Sequence, residues 1–370
     1  MLRVAVDLTS QLLPLTGVGV VVHEVVGRLA RRDDLALTGY AVTWRGRGRL
    51  RDVVPPRVAV VERPMAARPL HEAWRRTDHP LIDRFIGRHD VVWGPNFVGP
   101  PTRAAELVTV HDLTPVHYPE LAVGPSLAYP ALIRRALRRG AWLHTPSEFV
   151  RGEVIEHLGA RPDRVVTVHL GVRATAPGDQ ARGRALAGGD RYVLAVGTIE
   201  PRKDLPTLVR AFDQLASGDA RLRLVLAGAD GWGAEALTAA VAASPQRDRI
   251  VRLGRVDEDD RAALLAGAAA YAYPSLYEGF GLPPVEAMQA GVPVVTTRAG
   301  SLPEVCRDGA DLVTPGDAAA LAAALHRVLT DGPHRAALVE RGHRVAAGYD
   351  WDDTAARLAA LLARVAGVTT

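Results

Sequence analysis

The stretch "PSLYEGFGLPPVEAMQAGVPVV", from Pro274 to Val295, predicts the alternation of strand and helix that decides the fold. The run "AAAYAY" just before it is short and apolar, which is typical of a buried strand. The double proline after Leu282 suits the first turn of a helix, because a proline there sacrifices no intrahelical hydrogen bond. Gly291 then predicts the end of that helix, and "VPVVTT" predicts the next strand.

Two glutamates flank the glycine-rich loop of this stretch. Glu278 is predicted at the end of the strand and Glu286 in the first turn of the helix. Free backbone N–H groups at a helix N-terminus bind anions, and carboxylates accept hydrogen bonds from sugar hydroxyls. The pattern therefore favours a ligand that carries both phosphate and hydroxyl groups. The alternative is that Glu286 only complements the helix dipole and Glu278 is a solvated loop residue.

Strand-like and helix-like segments alternate along the whole chain. Its 370 residues are too many for one compact core, so two domains are expected. This alternation predicts parallel sheets with crossover helices. The Ala/Gly-rich segment 173–189 resembles an interdomain linker. We predict two doubly wound α/β domains, residues 1–172 and 190–349, and a final helix at about 350–370. The predicted strands are "RVAVDL", "DVVWGP", "ELVTVHD", "AWLHTPS" and "RVVTVHL" in the first half, and "YVLAVG", "RLRLVLAG", "RIVRLG", "AYAYPS" and "DLVTP" in the second.

Composition indicates a cytoplasmic protein. No apolar run approaches the roughly 20 residues of a membrane span. The opening "MLRVAVDLTS" is typical of a first strand and lacks the features of a signal peptide. Cys306 is the only cysteine, so an internal disulfide is excluded and a reducing compartment fits. The apolar neighbours of Cys306 indicate a packing role and not a nucleophile.

The net charge of +4 is distributed unevenly. Residues 1–172 contain 23 arginines and 17 acidic residues, a net charge of +6, and the remainder carries −2. A solvated protein surface explains this excess of arginine. The alternative is an anionic partner, either the acidic inner face of the membrane or a phosphate-bearing substrate. No nucleic-acid-binding motif accompanies the charge. The arginine clusters are "WRGRGRLR" (Trp44 to Arg51) and Arg134, Arg135, Arg138 and Arg139.

Lysine has been displaced by arginine almost everywhere in this chain. There are 44 arginines and one lysine, Lys203, in "GTIEPRKDLP". A single surviving lysine suggests a site that needs a compact ammonium instead of a guanidinium fork, with chance survival as the alternative. Asn96 is likewise the only asparagine of the chain, which makes it a candidate site residue. The alternative is that Asn96 only forms a turn.

The candidate site residues follow predicted strands. Ligands of doubly wound sheets bind beyond the carboxyl ends of the strands. Two such domains facing across a cleft would bring the loops at these strand ends together, and a cleft is the usual place for a substrate site. The residues at the exits are Gly17, Gly19, Asn96, His111, Asp112, Arg202, Lys203 and Glu278.

The motifs together resemble the retaining glycosyltransferases of family 4. In the second half the resemblance lies in "VGTIEPRKDLPTLVRAF", the Pro274–Val295 stretch and "SLPEV". In the first half it lies in "VDLTSQLLPLTGVG", "TVHDLTPVHYPE" and "TPSEFVRGEVIEHLG". The similarity covers nearly the whole chain and is greatest to bacterial mannosyltransferase-type members. It implies the GT-B fold, with two Rossmann-like domains facing across a cleft and a C-terminal helix that crosses back to the first domain.

The resemblance also implies a nucleotide diphosphate sugar donor, GDP- or UDP-linked. Glu278 is then expected to meet hydroxyls of the transferred sugar, and Glu286 the ribose. Arg202 and Lys203 are expected to neutralise the diphosphate leaving group, and His111 to lie near the reacting face of the sugar. These four catalytic candidates are His111, Glu278, Lys203 and Arg202. The implied donor site comprises Gly17, Gly19, Arg202, Lys203, Gly254, Val256, Glu278, Gly279, Phe280, Gly281, Leu282 and Glu286, and the implied acceptor side comprises Asn96 and Asp112.

One position departs from the family pattern. Many relatives carry arginine directly after the glycine of "VGT", where this chain has Thr198. Arg202 is therefore expected to supply the second cation. The resemblance implies no cofactor and no metal. The Asp-x-Asp patterns at Asp257–Asp259 and Asp350–Asp352 each precede an amphipathic helix, which indicates helix capping.

The implied activity is retaining transfer of a hexose, of the mannose or glucose class, to a glycan, lipid-linked or small-molecule acceptor. A catalytically silent nucleotide-sugar-binding subunit is one alternative, disfavoured by the intact Glu278, Lys203 and His111. A GT-B-like nucleotide-sugar epimerase is another, and it needs a second set of acid–base residues that the sequence does not reveal. A Rossmann oxidoreductase is disfavoured because "GVGVVV" lacks the third glycine of the dinucleotide fingerprint.

Overall fold

The computed structural model describes residues 1–13, 17–122, 124–173 and 178–368 of the protein. The chain divides into two compact units, one of Met1–Gly171 with Asp350–Thr370 and the other of Val172–Tyr349. Each unit contains a parallel sheet with crossover helices. The predicted architecture of two doubly wound α/β domains is confirmed.

The first unit contains a seven-stranded parallel sheet in the order β3-β2-β1-β4-β5-β6-β7. The order reverses between β1 and β4, and ligands of doubly wound sheets bind at such a switch point. The strands are β1 Leu2–Asp7, β2 Leu35–Tyr40, β3 Ala59–Val61, β4 Val91–Gly94, β5 Ala105–Thr109, β6 Trp142–Thr145 and β7 Val165–Thr167. The helices are α1 Gly17–Leu29, α2 Leu50–Val53, α3 Ala67–Arg76, α4 Asp83–Ile86, α5 Thr114–His117, α6 Tyr129–Arg139 and α7 Glu148–Leu158.

The second unit contains a six-stranded parallel sheet in the order β10-β9-β8-β11-β12-β13, which reverses between β8 and β11. The strands are β8 Arg191–Val196, β9 Leu222–Ala227, β10 Ile250–Gly254, β11 Ala270–Tyr273, β12 Val294–Thr297 and β13 Ala310–Val313. The helices are α8 Gln180–Ala187, α9 Leu205–Ala216, α10 Ala234–Ala243, α11 Glu258–Gly267, α12 Leu282–Gln289, α13 Leu302–Cys306, α14 Ala318–Thr330 and α15 Gly332–Ala346.

The last helix, α16 (Trp351–Val365), belongs to the first unit and packs on α1. The Asp350 side chain accepts hydrogen bonds from the amides of Asp352 and Asp353. Asp257 accepts in the same way from the Asp260 amide, at 2.8 Å. Both Asp-x-Asp patterns therefore begin with the predicted N-caps.

The central strands are buried on both faces, as their continuous apolar sequences predict. In the second unit Phe212 of α9 packs in one core with Leu224 of β9 and Val295 of β12, and all three side chains are fully buried. Cys306 is also fully buried, which fits the predicted packing role. Within the described ranges, no helix combines the length and apolarity required to cross a membrane.

The structure differs from the linker prediction for segment 173–189. Residues 180–187 form α8, which packs on α11 of the same unit. A Cβ at Gly183 would lie 2.0 Å from the Ala263 carbonyl oxygen, so this glycine serves a close helix–helix contact. Gly178 and Gly183, which suggested flexibility, instead permit tight packing on α11, and residues 174–177 of the predicted linker lie outside the described residues.

Two strands of the first unit were not among those predicted. In β2 ("LALTGY"), polar residues interrupt the apolar pattern, and Gly39 makes room for Leu8, whose Cδ1 would lie 2.6 Å from a Cβ there. The edge strand β3 has only three residues. Short or interrupted strands give little periodic signal, since tertiary packing decides their conformation.

Candidate functional site

The glycine loop after β11 is held in place by the start of α13. The Ser301 hydroxyl donates to the carbonyls of Glu278 and Phe280, each at 3.0 Å, and the Ser301 amide donates to the Glu278 carbonyl at 2.9 Å. Gly281 has a φ of 96°, a conformation suited to glycine, immediately before α12. The loop backbone is therefore fixed at the carboxyl edge of the sheet, as the sequence predicts.

Glu278 is the centre of a buried charge cluster. One carboxylate oxygen, Oε1, lies 2.6 Å from Lys203 Nζ and accepts a hydrogen bond from the Tyr273 hydroxyl at 2.8 Å. The other oxygen, Oε2, lies 2.6 Å from Arg202 Nη1. Lys203 Nζ also bonds to the Tyr273 hydroxyl and lies 4.4 Å from the centre of its ring. Arg202 Nη2 also lies 3.5 Å from Glu200 Oε2, so two cations meet two carboxylates here, and the side chain of Glu278 is 8% exposed.

The cluster fixes the ionisation of its members. Burial acts to raise the pKa of Glu278, but Arg202 and Lys203 outweigh it and lower this pKa to about 2. Burial lowers the pKa of Lys203, against the effect of Glu278. Burial, reinforced by Glu278, raises the pKa of Tyr273 well above its ordinary value. At neutral pH Glu278 is therefore a carboxylate and Tyr273 a neutral hydrogen-bond donor.

Hydrogen bonds hold Arg202 and Lys203 beside the loop, although these residues lie more than 70 positions from Glu278 in the sequence. Arg202 and Lys203 belong to a 3₁₀ turn, Pro201–Lys203, that follows β8. The Arg202 carbonyl accepts from the Leu276 amide at 2.8 Å, and the Arg202 guanidinium donates to the Tyr277 carbonyl at 2.8 Å. The structure therefore brings together three of the four predicted catalytic residues.

The neighbouring strand exits meet backbone to backbone. The Gly228 amide donates to the Gly254 carbonyl at 2.7 Å, and a Cβ at Gly228 would lie 1.9 Å from the Gly197 carbonyl oxygen. Gly254 has a φ of 68° and ends β10, and the half-buried Val256 follows it. Gly254 and Val256, which the resemblance assigns to the donor site, therefore lie at the same sheet edge as Glu278.

The position of Glu286 differs from the prediction. Because α12 begins at Leu282, no acidic residue lies in its first turn and Glu286 lies in the second. Its Oε2 pairs with Arg261 Nη1 at 2.5 Å, and Arg261 Nη2 also pairs with Glu258 at 3.0 Å. The helix-dipole alternative for Glu286 therefore loses its basis. Sequence reasoning missed Arg261 because it joins Glu286 from another helix, α11, with no local pattern to signal the pairing.

We predict that Gly300→Ala displaces the loop, whereas Gly316→Ala does not. Both glycines have a positive φ, 56° and 76°, so both substitutions carry a similar backbone strain. A Cβ at Gly300 would lie 2.3 Å from the Glu278 carbonyl oxygen, whereas nothing lies within 4 Å of one at Gly316. We expect Gly300→Ala to cost about 1–3 kcal/mol more than the control in urea unfolding. Equal losses of stability would contradict the proposed contact.

In the first unit the candidate residues lie at the ends of β4 and β5. The His111 ring is buried and its Nε2 lies 2.8 Å from the Pro95 carbonyl oxygen, so Nε2 carries the proton. Burial lowers the pKa of His111, which favours the neutral imidazole. Phe97 packs edge-on against this ring and has a φ of 61°, a strained conformation of the kind often found at functional sites.

The two predicted acceptor-side residues occupy the loops beside His111. Asp112 directly follows it, and its carboxylate accepts from the Thr114 amide at 2.9 Å, at the start of α5. Asn96 is half-buried between Pro95 and Phe97, and its carbonyl accepts from the Val98 amide at 2.7 Å. The backbone of Asn96 therefore forms a turn, which does not depend on its side chain.

The first glycine-rich loop is described in part. Gly17 begins α1, and Gly19 is buried in its first turn, where its carbonyl accepts from the Gln11 side-chain amide at 2.9 Å. Residues 14–16 of the predicted loop lie outside the described residues. The place of Gly17 and Gly19 in the donor site stays a prediction.

Part of the arginine cluster on α6 is used within the first unit. Arg135 and Arg139 pair with Asp78 at 2.9 and 3.2 Å, and Arg139 also pairs with the buried Glu106 at 2.7 Å. Arg134 donates to the His157 carbonyl at 3.0 Å. These arginines are therefore engaged in intramolecular contacts, and the case for an anionic partner at α6 is weaker than the sequence suggests.

Comparison with known proteins agrees with these features. Residues 15–175 match the family described as Glycosyltransferase Family 4, and residues 179–345 match Glycosyl transferases group 1. The chain is 31% identical over 315 residues to an O-antigen chain mannosyltransferase B of Escherichia coli, covering 83% of this chain and 80% of that protein. It is 34% identical over 242 residues to an MMP alpha-(1->4)-mannosyltransferase of Mycolicibacterium hassiacum, covering 63% of this chain and 57% of that protein.

A solved structure shows the same fold at low sequence identity. Sucrose-phosphate synthase from Thermosynechococcus elongatus superimposes with a TM-score of 0.78 at 19% identity, covering 100% of both chains. The two matched families, the identity to the mannosyltransferases and this shared architecture agree with each other. The chain belongs to family 4 of the glycosyltransferases, has the GT-B fold, and is similar to mannosyltransferase-type members.

Proposed function

We propose that the protein transfers a hexose, of the mannose or glucose class, from a GDP- or UDP-linked donor to an acceptor, with retention at the anomeric carbon. The observation that carries the proposal is the contact of Glu278 with both Arg202 and Lys203 beside the glycine loop. Fixed cations next to free loop amides suit a diphosphate, and an ionised carboxylate suits sugar hydroxyls.

The ion pairs suggest how the donor engages the site. Both cations pair with Glu278, and Arg202 Nη2 also lies 3.5 Å from Glu200 Oε2. A diphosphate carries more negative charge than one carboxylate, so it competes for Arg202 and Lys203 and releases oxygens of Glu278. Those oxygens then accept hydrogen bonds from the sugar. The donor in this scheme replaces an internal anion, and the cations never face the site without a counter-charge.

The same groups supply the catalytic electrostatics. As the bond to the diphosphate breaks, negative charge grows on the leaving group and positive charge on the sugar. Arg202 and Lys203 stabilise the first charge, and preorganised groups of this kind are usually the largest catalytic contribution. We propose that these two cations take the place of a divalent metal, so that transfer needs none. Glu278 stabilises the sugar cation from the other side.

His111 is proposed to contact the reacting sugar. Because Nε2 donates to Pro95, Nδ1 of the neutral ring is an acceptor for a sugar hydroxyl. The resemblance to family 4 supports this role, and Asn96 and Asp112 beside it are proposed to serve the acceptor. The mannosyltransferase relatives support a glycan acceptor, with lipid-linked and small-molecule acceptors as the other classes to test.

The direct test is a donor panel with the purified protein. GDP-mannose, UDP-glucose and their free nucleotides are added separately, and the midpoint of thermal unfolding is measured. A ligand at 100 times its dissociation constant adds about 2.7 kcal/mol to stability, which is readily detected. We expect one nucleotide sugar to raise the midpoint more than its nucleotide alone. No shift with any member of a broad donor panel would contradict the proposed function.

We predict that Glu286→Ala weakens donor binding more than it slows turnover. If Glu286 accepts hydrogen bonds from the ribose, their loss affects the bound ground state and transition state alike. We expect the KM for the donor to rise about tenfold, equivalent to about 1.4 kcal/mol, with kcat reduced by less than about threefold. Glu235→Ala, at an exposed glutamate of α10, is the control. A fall in kcat with unchanged KM would exclude a ribose contact.

A further inference from the structure

Three potential metal ligands converge on the first unit, and the proposed function uses none of them. His117 is the last residue of α5, and Glu153 and His157 lie four residues apart on α7. Residues with this spacing share one face of a helix. One ligand atom from each of His117, Glu153 and His157 lies within 4.8 Å of the other two.

The contacts within this group are already close. His117 Nε2 lies 2.8 Å from Glu153 Oε1. The rings of His117 and His157 meet edge to face, with centres 4.7 Å apart and planes at 82°. The side chains of His117, Glu153 and His157 are 25%, 12% and 33% exposed, so a small ion can reach a partly enclosed place.

The chemistry of the ligands indicates which ion fits. Zinc binds imidazole nitrogen and carboxylate oxygen at about 2.0–2.2 Å, which places tetrahedral ligand atoms about 3.4 Å apart. Side-chain rotations that move the ligand atoms by about 1 Å would bring the separations between these atoms to that value. Two imidazoles favour a transition metal over Mg²⁺ or Ca²⁺, which prefer oxygen ligands. Glu153 supplies one negative charge.

We propose that His117, Glu153 and His157 bind one zinc ion, with water at the fourth position. The ion links α5 to α7 within the first unit. Because α5 begins at Thr114, whose amide bonds to Asp112, the link stabilises the helix that follows the His111 loop. None of these three residues belongs to the proposed donor or acceptor site, so the test of zinc binding is independent of sugar transfer.

The experiment measures zinc binding to the full chain directly. Protein stripped with a chelator and desalted is titrated with zinc chloride by calorimetry, and bound zinc is counted by mass spectrometry after dialysis. We expect one zinc per chain, a rise in the unfolding midpoint, and at least tenfold weaker binding by His157→Ala and Glu153→Gln. Cobalt(II) should give the intense visible absorption of a tetrahedral complex.

Matched controls separate this site from adventitious binding. Glu148→Gln alters an exposed carboxylate at the start of the same helix, and His326→Ala alters an exposed histidine of α14. Both should bind zinc as the wild type does. Should circular dichroism show that one variant is unfolded, His117→Asn and the wild-type cobalt spectrum give the answer. Less than one zinc per chain, or equal binding by wild type and the ligand variants, would overturn the proposal.

Discussion

Lys203→Ala is expected to lower kcat by a factor on the order of 100 or more, equivalent to roughly 2.7 kcal/mol of transition-state stabilisation. Lys203 Nζ lies 2.6 Å from Glu278 at the strand exits where the diphosphate is proposed to bind. Its ammonium is expected to interact most strongly when charge builds up on the leaving group. Steady-state kinetics with the preferred donor measure the effect.

Two further variants show whether the geometry of the cation matters. Lys203→Arg keeps the charge but replaces a compact ammonium with a planar fork, so it should also lose much of the activity. Arg210→Ala removes an exposed arginine of α9 and should leave kcat unchanged. Wild-type turnover in Lys203→Ala would show that the only lysine of the chain has no catalytic role.

Glu278→Gln is expected to affect both activity and stability. An amide carries no charge, so Lys203 loses its paired carboxylate and Arg202 keeps only the Glu200 carboxylate at 3.5 Å; removing one partner of a buried ion pair typically costs about 3–5 kcal/mol. Activity should fall by a factor on the order of 100, because the sugar loses a charged hydrogen-bond acceptor in the transition state. Urea unfolding and initial rates at neutral pH measure the two effects.

The pH dependence of stability isolates the charge of Glu278. The folded-state pKa is about 2, below the ordinary value of 4.5, so ionised Glu278 stabilises the folded protein above about pH 4.5. That contribution, roughly 3 kcal/mol, is lost as the pH falls from 4.5 towards 2. The stability difference between wild type and Glu278→Gln should therefore shrink over this interval. A difference independent of pH would show that Glu278 is not held ionised by its neighbours.

The sequence predicts the site well where local pattern and function coincide. The strand, glycine loop and helix around Glu278 form as the prolines and glycines indicate, and the lone Lys203 lies in contact with Glu278. Such signals are local, because turn residues and helix caps act within a few positions. The N-caps Asp257 and Asp350 were predicted for the same reason.

The errors have a common physical origin, since each depends on contacts between elements distant in sequence. Arg261 pairs with Glu286 from a different helix, and Arg139 pairs with Glu106 across 33 positions. The glycines of segment 173–189 resembled a linker because composition does not tell a flexible glycine from one that admits a neighbouring helix. Gly183 is of the second kind.

The most direct test of the account is the anomeric configuration of the transferred sugar. The protein is incubated with the donor that it binds and an acceptor glycan, and the configuration of the newly formed glycosidic bond is determined by NMR from its anomeric signal. The account predicts the same anomeric configuration as in the nucleotide sugar, with the product formed about 100-fold more slowly by Glu278→Gln. An inverted product, or an unaltered rate in Glu278→Gln, would contradict retaining transfer at the Glu278, Arg202 and Lys203 cluster.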